Sequence, residues 1–135
     1  MSPPEPGMTI QRASSGSPFE ATIGFSRAIR VGNRILVSGT APVEDDGSST
    51  PGGAEAQAER CLAVIVRAIE QLGGSAEDVV RTRQYLVDAG DADAIGRAHG
   101  RWFGDIRPAS TMVVVAGLLR PEWRVEIEAE AEVRA

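Results

Sequence analysis

The stretch that decides the fold is RVEIEAEAEV, residues 124–133. Apolar residues alternate there with glutamates, and a period of two predicts a β-strand with its carboxylates on one face and its apolar side chains on the other. The apolar face must pack against a core. Four like charges at this spacing repel one another, so we expect at least one to have a cation or a hydrogen-bond donor opposite it. The four are Glu126, Glu128, Glu130 and Glu132.

The stretch before it, RPASTMVVVA at residues 107–116, predicts a strand of a different kind. A proline precedes a near-continuous apolar run, which is typical of a strand buried on both faces. Such a strand needs a second covering layer, supplied by this chain or by a partner. We expect residues 117–123 to form the turn between the two strands.

The N-terminal third predicts a β-hairpin. Residues 25–31 and 34–39 alternate apolar and polar side chains on either side of Gly32 and Asn33, a pair suited to a tight turn. Residues 8–13 predict a short edge strand. Residues 40–53, which are polar and rich in glycine and proline, predict a long loop.

Two helices and one strand are expected between these ends. Residues 54–72 carry apolar side chains at spacings of three and four, which predicts an amphipathic helix. Residues 79–87 are rich in β-branched side chains and predict a strand. Residues 91–103 predict a second helix. Gly96 and Gly100 weaken that helix, and we expect close approach to a sheet to explain them.

The expected order is therefore β-β-β-α-β-α-β-β, an α+β fold with a mixed sheet and two helices on one face. The chain leaves the other sheet face uncovered, and self-association with closed cyclic symmetry is the simplest way to complete it. Residues 1–22 are expected to be a mobile N-terminal segment and loop that includes the possible edge strand. Residues 23–135 are expected to form a single domain.

Composition excludes several classes of function. With 135 residues and a net charge of −5, the chain has no cationic surplus for binding nucleic acid. No stretch approaches the length of a membrane span, and no basic start precedes an apolar run as in a secretory signal. The single cysteine excludes an intrachain disulfide. We expect a cytoplasmic protein that binds neither nucleic acid nor membrane.

Single residues suggest little chemistry on their own. His99 is the only histidine, and it is more plausible as a core-edge or interface residue than as a catalyst. Cys61 lies on the apolar stripe of the first helix, which favours a buried small hydrophobe. No metal-ligand spacing, phosphate loop or dinucleotide motif is present, so no metal or cofactor is expected. A carboxylate of the glutamate row could serve as a general acid or base if it lies in a cleft.

Several ordered motifs together resemble the Rid family, also called RidA/YjgF. They are Phe25 to Asn33, Val37 to Pro42, Pro108 to Thr111 and Val125 to Ala129. The resemblance covers roughly residues 23–134. It implies a chorismate-mutase-like fold and a homotrimer whose clefts lie between subunits on the sheet face away from the helices. It also implies hydrolysis of reactive enamines and imines to 2-keto acids and ammonia, without a cofactor.

The resemblance implies roles for particular residues. Glu126 would position water or move a proton, and Ser38 and Gly39 would line the cleft. Where the family has a carboxylate-binding arginine in a Pro-Ala-Arg-Ser motif, this chain has Ser110. Where the family has a tyrosine, it has Phe25. The expected substrate-binding set is Ser110, Thr111, Phe25, Arg27, Ser38, Gly39, Met112 and Trp102, with Arg27 as a substitute cation.

Three functions follow, in order of preference. The first is hydrolysis of an imine or enamine with an altered substrate, carried out by Glu126 in intersubunit clefts. The second is a non-catalytic trimer that binds a small metabolite and regulates a partner, which the loss of the arginine and the tyrosine favours. The third is ribonuclease activity, which the acidic charge and the single His99 disfavour.

Overall fold

The computed structural model describes residues 9–134. The elements are β1 (Ile10–Ala13), β2 (Ala28–Val31), β3 (Arg34–Thr40), α1 (Ala54–Gln71), β4 (Val79–Leu86), α2 (Ala92–Phe103), β5 (Ala109–Val114) and β6 (Val125–Glu132). Their order confirms the predicted one. No helix within 9–134 is long and apolar enough to cross a bilayer.

The strands form one mixed sheet in the order β1-β2-β3-β6-β4-β5. Strands β4 and β5 are parallel, and every other neighbouring pair is antiparallel. The parallel pair follows from the chain order, because a helix connects the two strands and a crossover returns the chain in the same direction. Strand β6 lies inside the sheet, so its glutamate row runs across the middle of one face.

One face of the sheet is apolar and the other carries the glutamates, as the alternation in β6 predicts. The apolar residues of β6 are buried in the core together with the apolar side chains of α1 and α2. They are Val125, Ile127, Ala129 and Ala131. The helices cover this face, which we call the helix face. The face that carries the glutamates, which we call the open face, has no helix layer in the part of the chain that the structure describes.

The prediction that residues 107–116 form a strand buried on both faces is wrong for the single chain. All six residues of β5 are exposed. The strand lies at the edge of the sheet beside β4, and no described element covers it. Met112, Val113 and Val114 are 37%, 41% and 56% exposed, so the rest of the described chain does not cover the apolar run.

The N-terminal region contributes to the sheet. Strand β1 pairs antiparallel with β2 and forms the edge strand expected from residues 8–13. Residues 1–22 are expected to be a mobile segment and loop, but Glu20–Gly24 form a π-helical turn that contains the buried Glu20. Residues 1–8 of the expected mobile segment lie outside the described residues. Strand β1 belongs to the same sheet as the proposed domain of residues 23–135.

The expected reason for the glycines of α2 is wrong. A Cβ atom added at Gly96 or Gly100 would meet nothing within 4 Å, so neither residue marks a close approach to the sheet. Both positions are exposed. The structure offers no packing reason for these two glycines.

Candidate functional site

A bulge between β3 and β6 shapes one end of the open face. The register skips between Val37 and Thr40, so Ser38 and Gly39 stand out of the ladder, as often happens next to functional sites. A Cβ at Gly39 would lie 2.8 Å from Oε1 of Glu126. Only glycine therefore lets the Glu126 carboxylate lie against the backbone of β3.

Ser38 holds the bulge rather than presenting itself to a ligand. Its amide donates to the carbonyl of Arg27 at 2.9 Å. Its hydroxyl donates to the carbonyl of Ser26 at 2.7 Å. The Ser38 amide and hydroxyl are therefore both bonded within the chain, and the expectation that Ser38 lines a cleft stays a prediction.

Glu126 differs from its neighbours in the glutamate row. Glu128 accepts hydrogen bonds from the Tyr85 hydroxyl and from Arg83, the latter at 3.3 Å. Glu130 forms an ion pair with Arg34 at 3.3 Å. These contacts confirm that some of the row face a cation or a donor, and the hydrogen bond to Glu128 raises the pKa of Tyr85.

The Glu126 carboxylate is half-buried and receives no hydrogen bond from any described residue. Burial raises the pKa of Glu126, Arg27 acts to lower it, and Glu128 acts to raise it further. A group of this kind can hold a water molecule and exchange a proton with it closer to neutrality than an exposed glutamate can.

Arg27 supplies a buried positive charge next to this carboxylate. The residue is only 8% exposed, and its Nε has no hydrogen-bond partner among residues 9–134. The Phe25 ring lies 5.3 Å from its Cζ, within the range of a cation–π contact. Burial lowers the pKa of Arg27, while Glu20 and Glu126 raise it. Arg27 therefore lies between two carboxylates without a direct ion pair to either.

Glu20 is the second carboxylate at this arginine, and the sequence analysis missed it. The Ser14 hydroxyl donates to it at 2.8 Å and the Ser15 amide at 3.2 Å. Burial acts to raise the pKa of Glu20, but these hydrogen bonds hold it below its ordinary value. No periodic pattern marks this residue, because a turn in residues 20–24 places it and not a strand or an α-helix.

The helix face carries a second polar group at the edge of the sheet. Ser110 pairs in register with Thr82, and their hydroxyl oxygens are 2.9 Å apart. Thr82 also lies 2.8 Å from Nε2 of His99 and accepts from Nε2 of Gln84 at 2.9 Å. Gln84 accepts in turn from the Ser110 hydroxyl at 3.2 Å. We call these four residues the helix-face network.

The predicted site residues therefore fall on both sides of the sheet. Phe25, Arg27, Ser38, Gly39 and Glu126 gather at the bulge on the open face. Ser110 is bonded to the helix-face network, and Met112 shares its face because it pairs with the buried Gln84. Trp102 lies on α2, which also covers the helix face. Thr111 pairs with Arg83 and lies on the open face, separated from β3 by the two strands β6 and β4.

One chain does not bring Ser110 and Glu126 together, because alternation places them on opposite sides of the sheet. A single site that uses both needs two copies of the chain. Thr82, Gln84 and His99 were not predicted as partners of Ser110. The parallel register of β4 and β5 that joins them is not visible in the sequence.

Other features do not form a rival site. Cys61 is a buried free thiol whose pKa burial raises, so it is not a nucleophile. Among residues 9–134, no three His, Cys, Asp or Glu side chains lie close enough to hold a metal ion. A cavity of about 610 Å³ lies where β4 and β5 begin and β6 ends, at the opposite end of β6 from Glu126.

Comparison with known proteins identifies the family and the fold of this chain. The family model described as endoribonuclease L-PSP matches residues 16–133. A crystal structure from Mycobacterium tuberculosis, of a member of the YjgF/YER057c/UK114 family, superposes with a TM-score of 0.84 at 41% identity. The match covers 93% of this chain and 100% of that one.

Two curated relatives agree. An uncharacterised protein of Streptomyces coelicolor is 38% identical over 122 residues, which is 90% of this chain and 91% of the relative. A RutC family protein of Haemophilus influenzae is 34% identical over 116 residues, which is 82% of this chain and 88% of the relative.

The molecule is thus an α+β protein of the chorismate-mutase-like class, with a mixed sheet and two main helices. Within that class, the chain belongs to the Rid family, also written YjgF or RutC. The resemblance read from the sequence motifs is confirmed at the level of family and fold.

Proposed function

We propose that this protein hydrolyses a reactive imine or enamine to a carbonyl compound and ammonia, with Glu126 as the proton-transferring group. The observation that carries the proposal is the state of the Glu126 carboxylate. It is half-buried against Gly39, lacks a hydrogen-bond partner among residues 9–134 and has a pKa raised by burial. These are the properties of a general base that awaits a water molecule.

The reaction requires two proton transfers at one carboxylate. Glu126 takes a proton from water as the water oxygen bonds to the carbon of an iminium group, and a carbinolamine forms. Glu126 then returns the proton to nitrogen, the C–N bond breaks, ammonia leaves, and the hydroxyl proton is lost from the new carbonyl oxygen. The net change is iminium plus water giving carbonyl, ammonia and one proton. An enamine first takes a proton on carbon.

Arg27 would stabilise negative charge at this site. Its buried guanidinium acts electrostatically on Glu126, and its Nε is unpaired in the described part of the chain. It would act as a fixed charge beneath the ligand, because it is too deeply buried to form the bidentate clamp that an exposed arginine makes. Its position supports a substrate that is not recognised by a simple carboxylate clamp.

A homotrimer would complete the site. The exposed apolar run of β5 and the uncovered open face each need a partner, and a closed ring of identical subunits satisfies both. The cleft would then join Glu126, Gly39, Phe25 and Arg27 of one subunit to Ser110 and Met112 of the next. Sedimentation equilibrium tests the assembly, and a monomer at micromolar concentration would contradict it.

The decisive experiment measures ammonia released from imines that an amino-acid oxidase generates from a panel of amino acids. We expect Glu126→Gln to slow turnover about 100-fold or more. The matched control is Glu132→Gln, an exposed glutamate of the same strand face, which should leave turnover unchanged. Turnover that survives Glu126→Gln would show that this carboxylate does not do the chemistry.

A second function has specific support. The hydroxyl of Ser110, at the position of the family's arginine, is already bonded to Thr82 and Gln84, and it brings no charge to a ligand. A trimer that binds an uncharged metabolite without converting it fits this arrangement. Thermal-shift screening separates the two functions, because a stabilising compound recovered unchanged, with no ammonia from any imine, supports binding alone.

A further inference from the structure

The helix-face network links the exposed Ser110 to the single histidine through a buried hydroxyl. Thr82 is completely buried, and it lies 2.9 Å from Ser110 and 2.8 Å from Nε2 of His99. No described residue bonds Nδ1 of His99, and that atom is not sealed from solvent. Protons can therefore reach the ring from solvent through Nδ1, while Nε2 is hydrogen-bonded to Thr82.

Each hydroxyl has one proton and can donate only one hydrogen bond, so the direction of one bond in the network sets the direction of the next. A neutral ring carries one proton, and when that proton is on Nδ1, Nε2 lacks one and Thr82 donates to it. The Thr82–Ser110 bond then reverses from its direction in the structure, where Thr82 donates to Ser110 at 2.9 Å, and the Ser110 proton has two internal acceptors, Thr82 and Oε1 of Gln84 at 3.2 Å. Ser110 therefore turns its lone pairs outward and presents an acceptor.

The opposite state reverses the polarity of Ser110. When Nε2 carries a proton, it donates to Thr82, which also accepts from Gln84. Thr82 must then donate to Ser110, and only the longer contact to Gln84 competes for the Ser110 proton. Ser110 becomes free to donate to a carbonyl or imine group of a ligand.

We propose that His99 is a positioning residue that decides, through Thr82, whether Ser110 offers a donor or an acceptor to a ligand at β5. This inference rests on the proposed function in one respect, because it assumes that the ligand at Ser110 is the substrate or product. It assigns to His99 a role in specificity, whereas the sequence suggests a core-edge residue.

The surroundings of His99 leave this network neutral. The charged groups where α1 and α2 meet pair with one another, as Arg97 with Glu55 and Arg101 with Glu55 and Glu59. The arginines of β4 lie on the opposite sheet face, and the β5 residue bonded to this network, Ser110, is uncharged. Burial alone lowers the pKa of His99, so the ring is neutral at pH 7 and gains its proton on acidification.

The test measures binding of 2-butanone, an uncharged carbonyl acceptor, to the full chain by calorimetry from pH 7.5 to pH 5. The Glu126→Gln background removes the titration of that carboxylate. We expect binding to become about tenfold tighter as His99 takes up its proton, because Ser110 then donates to the carbonyl. Nitrogen-15 NMR of the ring identifies the pH at which His99 titrates and which nitrogen carries the proton of the neutral ring, and a neutral ring protonated on Nε2 overturns the proposal.

Thr82→Val cuts the connection and keeps the shape of the side chain, so binding in this variant should lose its dependence on the His99 titration. Thr50→Val is the matched control, because the Thr50 hydroxyl is buried without a partner among residues 9–134. It should behave like the parent. Equal pH dependence in the two variants, or no binding of 2-butanone by the parent, overturns the proposal. Loss of ammonia release bears on Glu126 alone, so the two proposals fail separately.

Discussion

Two polar groups lie on opposite faces of the same sheet, and they are built differently. The open-face group at the bulge holds full charges that lack direct partners among residues 9–134, namely Arg27 and Glu126. The helix-face network contains neutral groups that bond closely to one another around Thr82. Unpaired charge in a half-buried place lowers stability and leaves a group free for chemistry. A neutral network whose hydrogen bonds are satisfied stabilises the fold and fixes the orientation of its hydroxyl groups.

The comparison predicts opposite responses to mutation. Removing a member of the open-face group should change proton affinity and turnover, and removing Arg27 should also cost stability because Glu20 and Glu126 lose the cation between them. Removing a member of the helix-face network should cost stability first. Four substitutions test this difference, from the largest expected effect to the smallest.

Arg27→Met should lower the free energy of unfolding by about 2 kcal/mol at pH 7, because it leaves two carboxylates near a buried apolar side chain. Arg27 lowers the pKa of Glu126 and of Glu20, so its loss raises both in the folded state. The folded variant then binds protons more readily, and its deficit should shrink as the pH falls through these pKa values. Urea unfolding at pH 7 and pH 4.5 measures this. The exposed Arg12→Met on β1 should stay within about 0.5 kcal/mol.

Gly39→Ala should lower turnover about tenfold, because its Cβ would displace the Glu126 carboxylate from its present position. Stability should change by less than about 1 kcal/mol, since the clash meets the movable end of a side chain. In a Glu126→Gln background the effect on turnover should vanish. Gly96→Ala is the control and should add up to about 1 kcal/mol of stability with turnover unchanged. If Gly39→Ala still lowered turnover about tenfold in the Glu126→Gln background, the effect of Gly39 would not act through the Glu126 carboxylate.

Ser110→Ala should lower the free energy of unfolding by about 1 kcal/mol, because Thr82 and Gln84 each lose a hydrogen-bond partner. Chemical denaturation at pH 7 measures the change. An unchanged or higher stability would mean that the Ser110 hydroxyl is not part of the network in solution.

Glu126→Gln should raise the free energy of unfolding by about 0.5 kcal/mol at pH 7. The folded pKa of Glu126 lies above its ordinary value of 4.5, so the folded state holds the proton more tightly than the unfolded state. The ionised carboxylate therefore destabilises the fold above that pKa, and the penalty disappears below the unfolded value. The gain from Glu126→Gln should fade as the pH drops below about 4.5. A gain that persists there would point to packing rather than charge.

Much of the fold could be predicted because periodicity is local. The alternation in residues 124–133 places Val125 in the core and Glu126 on the other face, and the structure has both where predicted. The apolar run around Met112 predicts burial on both faces, and the single chain leaves it exposed, because composition reports what a strand can bury and not where it lies in the sheet. An edge position for β5 depends on the order of strands, which no local pattern encodes.

The residues of the candidate site also divide into those that local motifs predict and those that only the tertiary structure brings together. Glu126, Gly39 and Phe25 could be named from motifs close together in sequence. Glu20 could not, because a turn and not a periodic element brings it to Arg27. The link from Ser110 to His99 depends on a parallel register between strands that are far apart in the chain.

The sequence by itself determined which residue types alternate, where chain direction changes and which family motifs are present, since each is a property of neighbouring residues. Only the tertiary structure decided that Glu126 is half-buried without a partner and that Ser110 faces away from it. Burial, pKa and hydrogen bonding depend on what surrounds a group in space, and strands brought together from distant parts of the chain supply those surroundings.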